Sequence, residues 1–231
     1  MKRYAIIGLG TFGAHMLEEL DSLGAEVIII DKDAAIVERY KDKARSAYIT
    51  DALNEEVLKQ LIPPDADGVI IDTGSRIETS ILAANHLKKM GLKRVVVKAE
   101  SDDHGEILRL VGATDVIFPD REAARRVTPI LASDHILNYI PISKQVVLAE
   151  IDLPAGLEGK SLIEANMRKE WGVNVVSIRP EGGGEFQYFN PEYRLNQGDT
   201  LLVVGLIDNI MKLSEGSSQP KAAARSKRAR R

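Results

Sequence analysis

Apolar residues fall along the chain in two alternating kinds of block. One is a short, nearly continuous apolar run, as in Tyr4–Ile7, Val27–Ile30, Gly68–Asp72 and Arg94–Lys98. The other is a longer segment with apolar positions at helical spacing, as in Ala14–Leu23 and in Arg76–Met90, where Ile77, Ile81, Leu82 and Leu87 share roughly one face. Continuous runs suit strands buried on both faces, and the periodic segments supply the helices that cover them. Between these blocks the pattern predicts a helix over Ala34–Lys41, a short strand over Ala47–Thr50 and a helix over Asn54–Leu61 that Pro63-Pro64 breaks. It then predicts a helix over Asp102–Val111 and a sixth strand over Asp115–Phe118. Six strands alternating with helices imply an α/β fold, a doubly wound parallel sheet of the Rossmann-like kind, over residues 1–121.

The pattern changes beyond that point. Glu122–Leu137 reads as a helix that Pro129 kinks or ends, and Asn138–Ser143 reads as a connector, so residues 122–142 form a crossover helix and linker. Val146–Leu153, Val173–Arg179 and Thr200–Val204 read as strands, Ser161–Trp171 and Leu206–Leu213 as helices, and Gly182-Gly183-Gly184 as a turn. This gives a small α+β domain over 143–213, and about 70 residues are barely enough for an independent core. Strict alternation in Val173–Arg179 places Val173, Val175, Ser177 and Arg179 on one face and Asn174, Val176 and Ile178 on the other. Both faces are then expected to be partly covered, and a partner copy in a symmetric dimer is expected to complete the unit.

Charge adds an asymmetry to this picture. The tail Gly216–Arg231 carries six positive charges and no acid, so the formal net charge of −3 becomes −9 over the rest. An acidic body argues against nucleic-acid binding. The segment 214–231 is low in complexity and reads either as a disordered extension or as a basic strip for anionic lipid heads. The chain has no cysteine, which excludes disulfides and thiolate metal sites. No apolar run approaches the ~20 residues of a membrane span, and Met1-Lys2-Arg3 leads into a strand, so the protein is expected to be cytoplasmic.

Candidate chemistry concentrates in Gly8-Leu9-Gly10-Thr11-Phe12-Gly13, which joins the first strand to the first helix. In a dinucleotide fingerprint the first glycine makes the tight turn, the second admits a pyrophosphate to backbone N–H groups, and the third allows close packing of helix on strand. Asp31 ends the second strand at the distance where an acid accepts a ribose hydroxyl. Gly10, Asp31, Asp51, Thr73, Lys98 and Asp120 fall near the carboxyl ends of successive strands, where such folds bind ligands, and Lys32, Gly74 and Glu100 lie beside them. No catalytic constellation emerges. His15, His86, His104 and His135 are scattered and read as surface or cap residues, and Asp102-Asp103-His104 reads as a helix start with capping acids. An adenine-nucleotide sensor fits better than the alternative, an NAD(P)-dependent oxidoreductase, which needs a proton donor facing the nicotinamide.

These stretches, with Asp51-Ala52, Val96-Val97-Lys98-Ala99-Glu100 and Gly112-Ala113-Thr114-Asp115-Val116-Ile117-Phe118-Pro119, resemble the RCK or KTN regulatory subunits of bacterial potassium transporters, of the TrkA and KtrA kind. In the second unit the likeness lies in Leu157–Leu162, Gly172-Val173 and Gly198–Gly205, and in all it covers roughly Met1–Leu213. The resemblance implies a cytosolic, non-enzymatic gating subunit at the inner face of the plasma membrane. Such a subunit binds ATP, ADP or NAD(H), pairs into homodimers, assembles as an octameric ring and controls a TrkH- or KtrB-like membrane potassium pore. It implies that Gly8, Gly10 and Gly13, with Thr11 and Phe12, hold the phosphates, Asp31 with Lys32 the ribose, and Asp51 with Ala52 the adenine. Thr73 and Gly74 border the same cleft, and Lys98 and Glu100 stand on the phosphate side. It further implies a divalent or monovalent cation near Asp120 at the dimer contact, and cyclic di-AMP near Ile163 and Arg168 in the second domain. One residue departs from the pattern. Many KtrA-type relatives carry arginine where this chain has Thr11, and a hydroxyl brings no charge to a terminal phosphate.

Overall fold

The structure, a computed structural model, describes residues 1–216; the basic tail beyond Gly216, and the two readings of it, lie outside the described residues. The chain divides into two compact units, Met1–Asp120 and the segment from Arg121 onward.

In the first unit six strands, β1 (Arg3–Ile7), β2 (Glu26–Asp31), β3 (Ser46–Ile49), β4 (Gly68–Ile71), β5 (Val95–Lys98) and β6 (Asp115–Ile117), form one sheet in the order β3-β2-β1-β4-β5-β6. Every pairing is parallel. The helices between them are α1 (Thr11–Ser22), α2 (Ala34–Tyr40), α3 (Glu55–Leu61), α4 (Ile77–Lys89) and α5 (Asp102–Val111).

Alternate residues of each strand feed two cores. Ala5, Ile7, Val69, Ile71, Val95 and Val97 pack against Leu58, Ala83, Ala84, Leu87 and Leu108 of α3, α4 and α5. Ile6, Ile29, Ile70 and Val96 pack on the opposite side with Leu17 of α1 and Ile36 of α2. Burial on both faces explains why the strands carry continuous apolar runs. The strand order reverses its sense between β1 and β4, so the carboxyl ends of these two parallel neighbours border the crevice that doubly wound sheets present to ligands.

The helix α6 (Pro119–Ala132) runs through Pro129 without a break. Its end corrects the sequence reading. Residues expected to finish the helix and act as a connector instead form β7 (Ile136–Pro141), an edge strand antiparallel to β8 (Val146–Asp152). Ile136 and Tyr139 face inward, and burial of those two side chains holds the segment to the sheet.

The second unit's sheet has the order β7-β8-β10-β9, with β9 at Val173–Arg179 and β10 at Thr200–Leu206. The helix expected over Ser161–Trp171 is two short ones, α7 (Leu162–Ala165) and α8 (Met167–Glu170), separated at Asn166, which adopts the left-handed conformation at φ 43°. A capping box starts α7: the Ser161 hydroxyl accepts from the Glu164 N–H, and the Glu164 carboxylate accepts from the Ser161 N–H. The helix α9 (Ile207–Ser214) closes the unit.

The alternation predicted for β9 is also corrected. Leu202 pairs with Ser177 and Val203 with Val175, so Val176 is an extra residue in a β-bulge. Ile178 thereby joins Val173 and Val175 against the core instead of lying on the opposite face. Val173, Ile178, Ile151, Val203, Trp171 and Ile210 form a core within this unit.

Candidate functional site

The glycine turn between β1 and α1 is shaped by the strand beside it. Gly8 has φ +83°, and a Cβ there would lie 2.1 Å from the Asp72 carbonyl oxygen. A Cβ on Gly13 would lie 2.4 Å from the Gly8 oxygen, so α1 packs onto the strand end only because Gly13 has no side chain. At Gly10 a Cβ would lie 2.4 Å from Asp72 Oδ2. The turn therefore closes over a carboxylate on its inner side, while the N-terminus of α1, which starts at Thr11 with Gly10 as N-cap, opens outward.

Asp72, which follows β4, was legible only as the last residue of an apolar run; in the structure it ties the glycine turn to the end of β4 and to Lys98. Its side chain has no solvent exposure. Oδ2 accepts from the Gly13 N–H at 2.9 Å, and Oδ1 accepts from the Gly74 N–H at 3.4 Å. Lys98, at the end of β5, places Nζ 3.7 Å from Asp72 and 3.2 Å from Glu100. Burial acts to lower the Lys98 pKa, but its hydrogen bond to Glu100 and the charges of Asp72, Glu100 and Asp120 outweigh that and raise it. Lys98 is therefore a fixed cation.

Asp31 is buried at the end of β2. Its two oxygens accept from the N–H groups of Leu9, at 2.7 Å, and Asp33, at 2.9 Å, so the acid ties the glycine turn to the neighbouring strand. A carboxylate has about four acceptor directions, which leaves capacity for a ligand hydroxyl. The expected site residues Gly8, Asp31, Lys32, Asp51, Ala52 and Thr73 line one narrow cleft, and Arg76, which the sequence did not single out, joins them there. Asp51 is exposed and accepts from the Leu53 N–H, Ala52 is buried, and the Thr73 hydroxyl donates to the Arg76 carbonyl. Gly10 and Thr11 border a second groove of about 250 Å³ on the other side of the turn, with Ile36, Arg39 and Tyr40 of α2. Thr11 is exposed there, whereas Phe12 turns inward and packs against the α1 core.

The expectation of a surface or cap residue at position 104 is corrected. His104 is buried, with 2% exposure. Its Nδ1 accepts from the Glu100 N–H at 3.2 Å, which puts the proton of the neutral ring on Nε2, 2.8 Å from the Ser80 hydroxyl. The N-cap of α5 is Ser101, whose hydroxyl accepts from the His104 N–H, so the capping role assigned to Asp102 and Asp103 belongs to Ser101. Of the other histidines, His15 and His135 are exposed, and His86 is largely buried, with Nδ1 3.0 Å from Glu55.

Asp120 lies in the first turn of α6 and is exposed. Among the described residues no group of three His, Cys, Asp or Glu side chains is arranged to hold a metal. In the second unit Ile163 and Arg168 are both exposed and border one open groove of about 340 Å³ with Val173 and Phe189. Among the described residues no helix is long and apolar enough to cross a membrane.

Residues 4–119 match the family model of the TrkA-N domain, and residues 146–215 match that of the TrkA-C domain. The chain is 33% identical over 216 residues to the Ktr system potassium uptake protein C of Bacillus subtilis (strain 168), covering 93% of this chain and 96% of that protein. It is 30% identical over 204 residues to the Ktr system potassium uptake protein A of the same organism, covering 88% and 91%. Among solved structures it resembles the GsuK channel bound to NAD, with a TM-score of 0.64 at 16% identity, over 96% of this chain and 40% of that one.

Proposed function

Since the chain belongs to the TrkA-N and TrkA-C family, with the Ktr potassium uptake proteins as relatives, we propose that it is the regulatory subunit of a potassium uptake system and binds an adenine nucleotide at the β1–α1 turn. The observation that carries this reading is a relationship spanning both units at once, over 96% of the length of Ktr protein C. The glycine turn supports it by presenting an outward-facing helix N-terminus beside a cleft lined by Asp31, Asp51 and Ala52. Gly10 and Thr11 would hold the phosphates, Asp31 the ribose and Ala52 the adenine, with Lys98 and Glu100 behind them. The ligand is ATP, ADP or NAD(H), and the site binds it without turning it over.

Control of a separate membrane pore follows from linkage: the nucleotide shifts the subunit between two states only as far as its affinities for them differ. Homodimers assembling into a ring would transmit that shift to a TrkH- or KtrB-like partner from the cytoplasmic side. The proposal extends to a cation near Asp120 at the dimer contact and to cyclic di-AMP in the groove at Ile163 and Arg168. The test is calorimetric titration of the full chain with ADP, ATP and NADH, followed by potassium flux in vesicles containing the pore subunit. Binding together with nucleotide-dependent flux is expected. Absence of binding, or flux indifferent to a bound nucleotide, overturns the reading.

A further inference from the structure

Beneath the phosphate side of this site, under Gly10, lies a fully buried acid. We propose that Asp72 sets the ligand class of the cradle, disfavouring a third, terminal phosphate and favouring adenine ligands with two phosphates, namely nucleoside diphosphates and dinucleotides. This rests on the nucleotide-binding reading above.

The strand order puts the end of β4 beside the end of β1, so Asp72 lies directly under the glycine turn. Its Oδ2 takes the Gly13 N–H and sits against Gly10, where a single added carbon would lie 2.4 Å away. Part of the positive end of α1 is therefore already answered from within. A phosphate held from outside by the Gly10 and Thr11 N–H groups would be separated from this carboxylate by one backbone layer, roughly 6 Å at ordinary hydrogen-bond lengths. Charges that close, with one of them buried, are poorly screened by salt.

Lys98 does not cancel the acid. Its single charge lies between two carboxylates, Asp72 and Glu100, while Asp31 adds a third under Leu9. Lys32 and Arg76 at the rim of the cleft, and Arg39 across the second groove, offset part of this field for a diphosphate. The remaining repulsion rises with ligand charge, from NAD through ADP to ATP. At the first helical position Thr11 offers a hydroxyl and no charge to meet a third phosphate.

Calorimetric titration of the full chain with NAD, ADP and ATP, without metal and at fixed salt, tests the idea in the wild type, Asp72→Asn and Asp72→Ala. The wild type should bind NAD and ADP more tightly than ATP. Removing the charge should tighten ATP by about tenfold, ADP by less and NAD least. The readout is the ATP-to-NAD affinity ratio, which keeps its meaning in Asp72→Ala even if loss of the Gly13 contact weakens all three. Equal changes for the three ligands would mean that Asp72 only holds the turn, and a wild type that prefers ATP overturns the proposal without any variant. If no form of the protein binds any of the three, the nucleotide reading itself falls, and this inference with it.

Discussion

The Ser80 hydroxyl and His104 Nε2 lie 2.8 Å apart inside the first unit and join α4 to α5. Because His104 Nδ1 accepts the Glu100 N–H, the ring is useful only while neutral. Burial holds its pKa below the ordinary histidine value, and the charge of Glu100 opposes that only in part. The unfolded chain therefore binds the proton at a higher pH than the native one, and stability falls as pH drops below the unfolded value of about 6.5. Thermal unfolding followed from pH 7.5 to 5 should show this loss, and His104→Gln should flatten it. An equally steep profile in the variant would place the titration elsewhere.

Thr11 opens α1 on the outer side of the turn. Thr11→Arg adds a guanidinium at the groove and should tighten ATP relative to ADP by about tenfold, the worth of one added charge-assisted hydrogen bond to a phosphate. Competition titrations measure that ratio, and an unchanged ratio removes Thr11 from the phosphate site.

Gly13→Ala tests the packing of the turn. The new methyl would meet the Gly8 oxygen at 2.4 Å, a backbone atom that can move only with β1. Overpacking of this kind typically costs 1–3 kcal/mol, so about 2 kcal/mol or more is expected in denaturant unfolding. A variant as stable as the wild type would show that α1 is free to shift.

In the second unit Asp199 is almost fully buried, and its Oδ2 accepts from the Tyr193 hydroxyl at 3.0 Å and the Asn196 N–H at 2.9 Å. Asp199→Ala strands both donors and should destabilise the unit by roughly 2 kcal/mol. Trp171, the single tryptophan, lies in this unit's core, so its fluorescence follows that transition separately from the first unit.

The alternation of buried strands and amphipathic helices made the first unit legible, since β1, β2, β4 and β5 are short apolar runs that only a doubly covered sheet accommodates. Asp72 escaped for a physical reason: what makes it important is that β4 lies beside β1, a neighbourhood no local window of sequence contains. His104 escaped because Asp102 and Asp103 before it announce an exposed helix start, while its own side chain turns inward toward Ser80. The strand β7 was divided between the end of a helix and a connector because only Ile136 and Tyr139 of its six residues are buried, too few to set a strand period. The bulge in β9 was invisible for the related reason that one extra residue leaves composition unchanged and alters only phase.

That bulge also leaves the strand with a spare link. Leu201 pairs with Ile178, Leu202 with Ser177 and Val203 with Val175, so every rung of the ladder around Val176 is already filled without it. Excising Val176 should splice the two halves of β9 into a regular strand with Val175 and Ile178 still facing inward, whereas excising Asn174 should turn the segment before it inside out. A lineage of such chains has slack at one position of this strand for the loss of a residue, and none two positions away.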